Sequence, residues 1–219
     1  MINSVNSENP EIVFEYDDDN EFETDDFRIA IPEGALYDTL HFKYSVGKPI
    51  KGAYSAVHRV HNKYTALQSF CTLAIKPKMV SEKLKDKLLI ARSGNKAGEY
   101  VSVGGEWDDD FIKAQIRDFG DYVVIADTIA PKITPVNISP GKAIAAQKTI
   151  QVKISDNLSG IKSYKASMNG HWILMEYDPK NSLLTYKIDE WTKPGKNQFR
   201  LVVTDSRNNE KLYQTSLIK

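Results

Sequence analysis

Two imidazoles three residues apart, His58 and His61 in the stretch YSAVHRVHNKYT (54–65), raise the question of metal chemistry. His41 lies shortly before them and His171 is the fourth histidine of the chain. Zinc takes three or four nitrogen, sulfur or carboxylate donors in a tetrahedral shell. Residues three apart on a strand point to opposite faces, so this pair could converge only on a helix or across a bend. Tyr54, Ala56 and His58 against Ser55, Val57 and Arg59 show no helical periodicity, and no second cluster supplies further ligands. No metal is expected on these histidines; hydrogen bonding to neighbouring strands or a surface position is.

Carboxylates are the next candidates. The runs Asp17–Asp19 and Asp108–Asp110 offer the hard oxygens calcium prefers, but neither has the spaced ligand loop of an EF-hand. Asp156 in KISDNLSG and Asp205 in VVTDSRNN each end an expected strand, and Asp127 stands at the start of a proline-rich linker. In an Ig-like sandwich these ends can lie at one pole, which makes Asp127, Asp156 and Asp205 a candidate calcium site. The competing reading is that Asp and Asn side chains cap the turns through nearby backbone amides. No G-x-S-x-G, P-loop, Cys-x-x-Cys or dinucleotide-binding glycine pattern occurs, so no catalytic or cofactor-binding residue is assigned. Of the three tryptophans, Trp172 in HWILMEY is expected in the core, while Trp107 and Trp191 follow turns and are the candidates for glycan contact.

The elements that must hold these residues are strands. The 219 residues suit two domains of about 100 residues each, large enough to build cores without disulfides. Phe27, Ile29 and Ile31 alternate with Arg28 and Ala30; Leu40, Phe42, Tyr44 and Val46 alternate with His41, Lys43 and Ser45. The same period-2 pattern recurs at 70–76, 87–92, 99–103, 111–116 and 121–126, interrupted by a short helix or turn at 79–87. DTIAPKITPVNISPGK (127–142) carries three prolines and reads as a linker running into an edge strand. Beyond it, strands are expected at 148–155, 161–168, 171–177, 183–188, 197–204 and 210–218, with a hairpin signal at Asn169–Gly170. The reading is all-β, two β-sandwich domains in tandem with the second Ig-like: an acidic, partly ordered arm at 1–25, a first sandwich at 26–127 and the Ig-like sandwich at 128–219.

Composition narrows the partners. Twenty-nine basic and 29 acidic residues cancel, which argues against nucleic acid or an anionic membrane as the main partner. The single cysteine, Cys71, alternates with Leu73 and Ile75 and reads as a small buried hydrophobe. The N-terminal stretch MINSVNSENPEIVF has no basic and apolar leader pattern, and no 18-residue apolar run occurs, so neither an export signal nor membrane insertion is expected of the chain as written.

IPEGALYDTLHFKYS, HNKYT, RDFGDYVVIADTIAPKITPVNIS and KISDNLSGIKSYKASMNGHWILMEYD together resemble the C-terminal region of lysostaphin-type zinc endopeptidases, exported envelope proteins of Gram-negative bacteria. In those proteins β-sandwich modules follow a peptidoglycan-cleaving domain. The IPEGAL segment is also similar to ZU5-like β domains, and DTIAP followed by a D-N-x-S-G turn resembles bacterial Ig-like modules. The family's zinc motifs, His-x-x-x-Asp and His-x-His, are absent: four residues after the histidines come Ser45, Asn62, Thr65 and Met175, and two residues after come Lys43, Val60, Lys63 and Ile173. The resemblance therefore implies a non-catalytic accessory module of a cell-envelope peptidase, in the periplasm or envelope. Its implied partners are a peptidase catalytic domain, in the same or another chain, and peptidoglycan or another glycan. The alternatives are a glycan-binding module and a hydrolase with an unrecognised site between the domains.

Overall fold

The computed structural model describes residues 12–96 and 98–219. The chain divides into two compact units, with the boundary between Ala126 and Asp127. Both are β-sandwiches, and the described residues are all-β apart from one 3-10 turn at Glu82–Lys87.

The first unit contains β1 (Ile12–Phe14), β2 (Asn20–Glu23), β3 (Phe27–Ile31), β4 (Leu40–Phe42), β5 (Tyr44–Gly47) and β6 (Val57–Val60). It continues with β7 (Ala66–Ile75), β8 (Leu88–Ser93), β9 (Tyr100–Gly104), β10 (Glu106–Asp108), β11 (Phe111–Asp118) and β12 (Gly120–Ala126). One sheet has the order β10-β11-β7-β3-β2, the other β5-β6-β12-β8-β9, and β1 pairs with β4. Alternation decides what lies inside. Phe27, Ile29 and Ile31 of β3, Cys71, Leu73 and Ile75 of β7, and Ile112, Ala114 and Ile116 of β11 are buried. They share one core with Val60, Leu88, Ile90, Tyr122 and Val124 of the second sheet. Facing sheets interleave such inward rows, which is the packing of a sandwich.

Two differences from the sequence reading have local causes. Residues 12–23, within the expected partly ordered arm, carry two strands, with Phe14 buried against Phe42, ring centroids 4.6 Å apart; residues 1–11 of the arm lie outside the described residues. The expected single strand through TLHFKYSV breaks at Lys43, so that β4 pairs with β1 while β5 pairs with β6. The Lys43 carbonyl accepts the His61 amide at 2.7 Å instead of a ladder bond, and Val46 is exposed.

The second unit contains β13 (Lys132–Pro135), β14 (Lys142–Ala143), β15 (Thr149–Ser155), β16 (Ile161–Met168) and β17 (His171–Ile173). β18 (Glu176–Asp178), β19 (Leu183–Lys187), β20 (Lys196–Asp205) and β21 (Glu210–Ile218) complete it. The sheets run β13-β15-β19-β18 and β14-β21-β20-β16-β17. β13, with Pro135, lies at an edge, where a missing backbone donor is tolerated. Asn169 and Gly170 both have positive φ, 55° and 85°, the backbone of the tight primed turn that joins β16 to β17. The expected strand 171–177 is two: β17 belongs to one sheet and β18 to the other, with the crossing at Leu174–Met175.

Candidate functional site

The VHRVH histidines are packing groups. His58, on β6, is fully buried; its ring lies 5.2 Å from that of Phe27 and its Nδ1 is 2.8 Å from the Tyr44 hydroxyl. His61 directly follows β6 with φ of 49°, a left-handed bend that turns its ring inward as well. There it meets Phe119 at 5.2 Å and Phe42 at 6.2 Å, with Nε2 3.1 Å from the Thr65 hydroxyl. The bend that could have brought two ligands together therefore places both rings among aromatics. Burial pushes the His58 pKa down, with the Asp26 carboxylate opposing and the Lys78 ammonium adding to the effect. Burial and then the charge of Lys43 do the same to His61. Burial works against the charged form of Asp26, yet its hydrogen bond to Lys78 at 2.8 Å and the nearby His58 hold it below the usual carboxylate range. His41 is exposed on β4, and His171 stacks on Trp191 at 4.0 Å.

The structure brings Asp127, Asp156 and Asp205 together: each contributes a carboxylate oxygen within 4.8 Å of the others, and among the described residues this is the group that could hold a metal ion. Asp127 and Asp205 are buried and Asp156 half-buried. Each carboxylate also clamps a turn. Asp127 accepts the amides of Ile129 (3.1 Å) and Ser159 (3.0 Å), and Asp156 Oδ2 accepts those of Leu158 and Gly160. Asp205 Oδ1 accepts the amides of Arg207 and Asn209, and its Oδ2 the Asn209 side-chain amide, each at 2.8 Å. The Asn209 side chain closes the ring by donating to the Asp127 carbonyl at 3.0 Å. The chemistry displayed is a carboxylate and amide lattice that ties the start of the unit to two of its turns. A hard cation would have to share oxygens of Asp127 and Asp205 already engaged with N–H donors, whereas Asp156 Oδ1 is buried without a hydrogen-bond partner.

The tryptophans fall differently from expectation. Trp107, on β10, is half-buried, with Nε1 donating to the Lys85 carbonyl at 2.9 Å and the Lys85 ammonium 5.4 Å from its ring. Trp191 is half-buried beneath His171. Trp172, expected in the core, is 66% exposed. The two-residue turn pairs Met168 with His171 and Ser167 with Trp172. Ala166 and Met168 face inward, so Ser167 and its partner must face out. The alternation of β16 together with Asn169–Gly170 contained this signal; hydrophobicity alone pointed the wrong way.

One further concavity lies on the outer face of the first unit, a depression of about 270 Å³ floored by Ala30, Thr72 and Ala74. Its rim charges pair with one another, Arg28 with Glu23 at 3.6 Å and Lys113 with Asp108 at 3.3 Å, instead of converging on a central point.

Fold and site together define a tandem of β-sandwich modules whose histidines and carboxylates are engaged in packing and turn formation. Residues 11–127 match the Zu5-like domain family, and the chain belongs to that family. A solved structure of fibronectin(III)-like modules of CbhA from Clostridium thermocellum is 10% identical, covering 80% of this chain and 93% of that one, with a TM-score of 0.34. No curated protein matches the chain.

Proposed function

We propose that the chain is a non-catalytic accessory module of a cell-envelope peptidase, working in the periplasm or envelope to position or dock a catalytic domain at peptidoglycan. The observation that carries the reading is how the imidazoles are used. His58 and His61 are locked into an aromatic core, while His171 lies against Trp191. A zinc peptidase needs histidine nitrogens aimed at one point with an open coordination position, and here the rings serve as packing surface. The Zu5-like membership of the first unit and the order of the peptidase-like segments along the sequence support the same reading. Rigid sandwiches present sheet faces and loops as surface without bond-making chemistry, which is what a docking module needs.

The test is co-sedimentation of the purified chain with peptidoglycan sacculi, beside a pulldown with a lysostaphin-type catalytic domain supplied separately. Retention by either partner is expected. Retention by neither, or peptide-bond cleavage by the chain alone, would refute the proposal.

A further inference from the structure

The cancelling charges of the chain are unevenly distributed. Residues 1–126 hold 15 basic and 21 acidic side chains, whereas residues 127–219 hold 14 basic and 8 acidic ones. The second unit is therefore cationic, and its five-stranded sheet shows where that charge meets an exposed aromatic ring.

Register fixes the outward rows of this sheet. Trp172 stands opposite Ser167, Ser167 opposite Arg200, and Arg200 opposite Gln214, a line across four strands. At the ordinary strand spacing it spans about 14 Å. A parallel row reads Lys165, Val202 and Leu212, and beyond the first row Gln198 pairs with Ser216, its Nε2 donating to the Ser216 hydroxyl at 3.0 Å. The ionisable groups on this face are Lys162, Lys165, Lys196 and Arg200 against Glu210; Lys162 donates to the Asn208 side chain at 2.9 Å and the Glu210 carboxylate accepts the Thr204 hydroxyl at 3.2 Å. Among the described residues, neither Lys165 nor Arg200 has a carboxylate within ion-pair distance.

We infer that this face, centred on Trp172 and Arg200, binds a carboxylate-bearing glycan. Each part has a role in such recognition. An exposed indole gives a flat apolar surface on which the C–H face of a sugar ring can lie. The Arg200 guanidinium presents a planar fork that matches a carboxylate, and Lys165 adds a second cation. Gln198, Gln214, Ser167 and Ser216 supply amides and hydroxyls suited to sugar hydroxyl groups. The face is too sparsely basic for nucleic acid, which rewards a dense row of phosphate contacts. Its apolar side chains are interspersed with polar ones and lack the continuous apolar centre of a stable protein interface. The inference rests on the docking reading above and gives it a surface: in peptidoglycan the acidic groups would come from its carboxylates.

The experiment measures sedimentation of the whole chain with native sacculi, with sacculi whose carboxylates have been amidated, and with phosphatidylglycerol vesicles. Trp172→Ala is expected to weaken binding to native sacculi at least about tenfold. Arg200→Gln is expected to weaken it severalfold and flatten its salt dependence, and amidation should reproduce that effect on the wild type. Lys187→Gln, on the other sheet, serves as the control and should bind unchanged. Should Trp172→Ala melt early, Arg200→Gln carries the test alone. Full binding by the Trp172 and Arg200 variants would overturn this site while leaving the docking reading intact. Binding of the catalytic domain without binding of sacculi would do the same. Trp172-dependent binding to vesicles and not to sacculi would assign the face to a lipid surface and overturn the glycan inference.

Discussion

Lowering the pH from 7.5 to 5.5 should selectively weaken the first sandwich, because His58 is held neutral in its core. An imidazole in the unfolded chain titrates near 6.5. In the fold, burial depresses the pKa of His58, so between these values the unfolded state binds more protons than the native state. Stability is therefore fully present above about pH 6.5 and falls as the pH drops toward the depressed native value. If the ring stays neutral in the fold, the loss at pH 5.5 reaches about 1.4 kcal/mol, which for a unit of this size lowers Tm by roughly 5 °C. Asp26 does not confuse this window, since the hydrogen bond from the Lys78 ammonium keeps its carboxyl below the usual range against the pull of burial. Calorimetry of the whole chain across this pH range is the assay, with His58→Phe as the matched variant. Phenylalanine keeps the stack on Phe27, and the Tyr44 hydroxyl retains the Thr24 side chain as a hydrogen-bond partner. The variant is expected to lose most of the pH slope, with a smaller remainder from the half-buried His61. An unchanged slope in His58→Phe, or no loss in the wild type, would refute the reasoning.

Three further outcomes follow from single residues. Asp205→Ala removes the acceptor of three hydrogen bonds in a buried turn and should lower the stability of the second unit by about 2–4 kcal/mol in urea denaturation. Asp205→Asn, which keeps one oxygen, should lower it less. Gly170→Ala places a Cβ on a residue with φ of 85° but in open space, so the expected loss is only about 1 kcal/mol, read from the urea midpoint. Cys71 is fully buried and burial pushes its thiol up to about 11, so a thiol reagent at pH 8 should label it only at the rate at which the first sandwich opens.

Much of the architecture is legible in the residue pattern because a sheet with one dry face demands period-2 alternation. Ile150, Val152 and Ile154 of β15, or Cys71, Leu73 and Ile75 of β7, announce their inward face before any partner is known. Turn chemistry is equally local: Asn169–Gly170 specifies its own backbone, and Asp156 accepts amides from the residues that follow it. The convergence of Asp127, Asp156 and Asp205 was accessible as a candidate from strand ends and topology, but the bonds that join their turns, from the Ser159 amide to Asp127 and from the Asn209 side chain to the Asp127 carbonyl, emerge only with the pairing of β13 with β15 and of β16 with β20.

What only the tertiary structure decided are the points where a chain leaves one sheet for another. The break at Lys43 interrupts a run whose residues alternate without a flaw, the crossing at Leu174–Met175 falls within the apolar run Trp172–Met175, and no single side chain marks either. The exposure of Trp172, by contrast, contradicts its hydrophobicity but was legible in the alternation of β16 carried across the Asn169–Gly170 turn. A strand's sequence specifies which side chains share a face, because that depends on backbone geometry within the strand. Which partner a strand takes, and where it changes partner, depends on contacts between residues far apart in the chain, so those features appear only when the sheets are assembled.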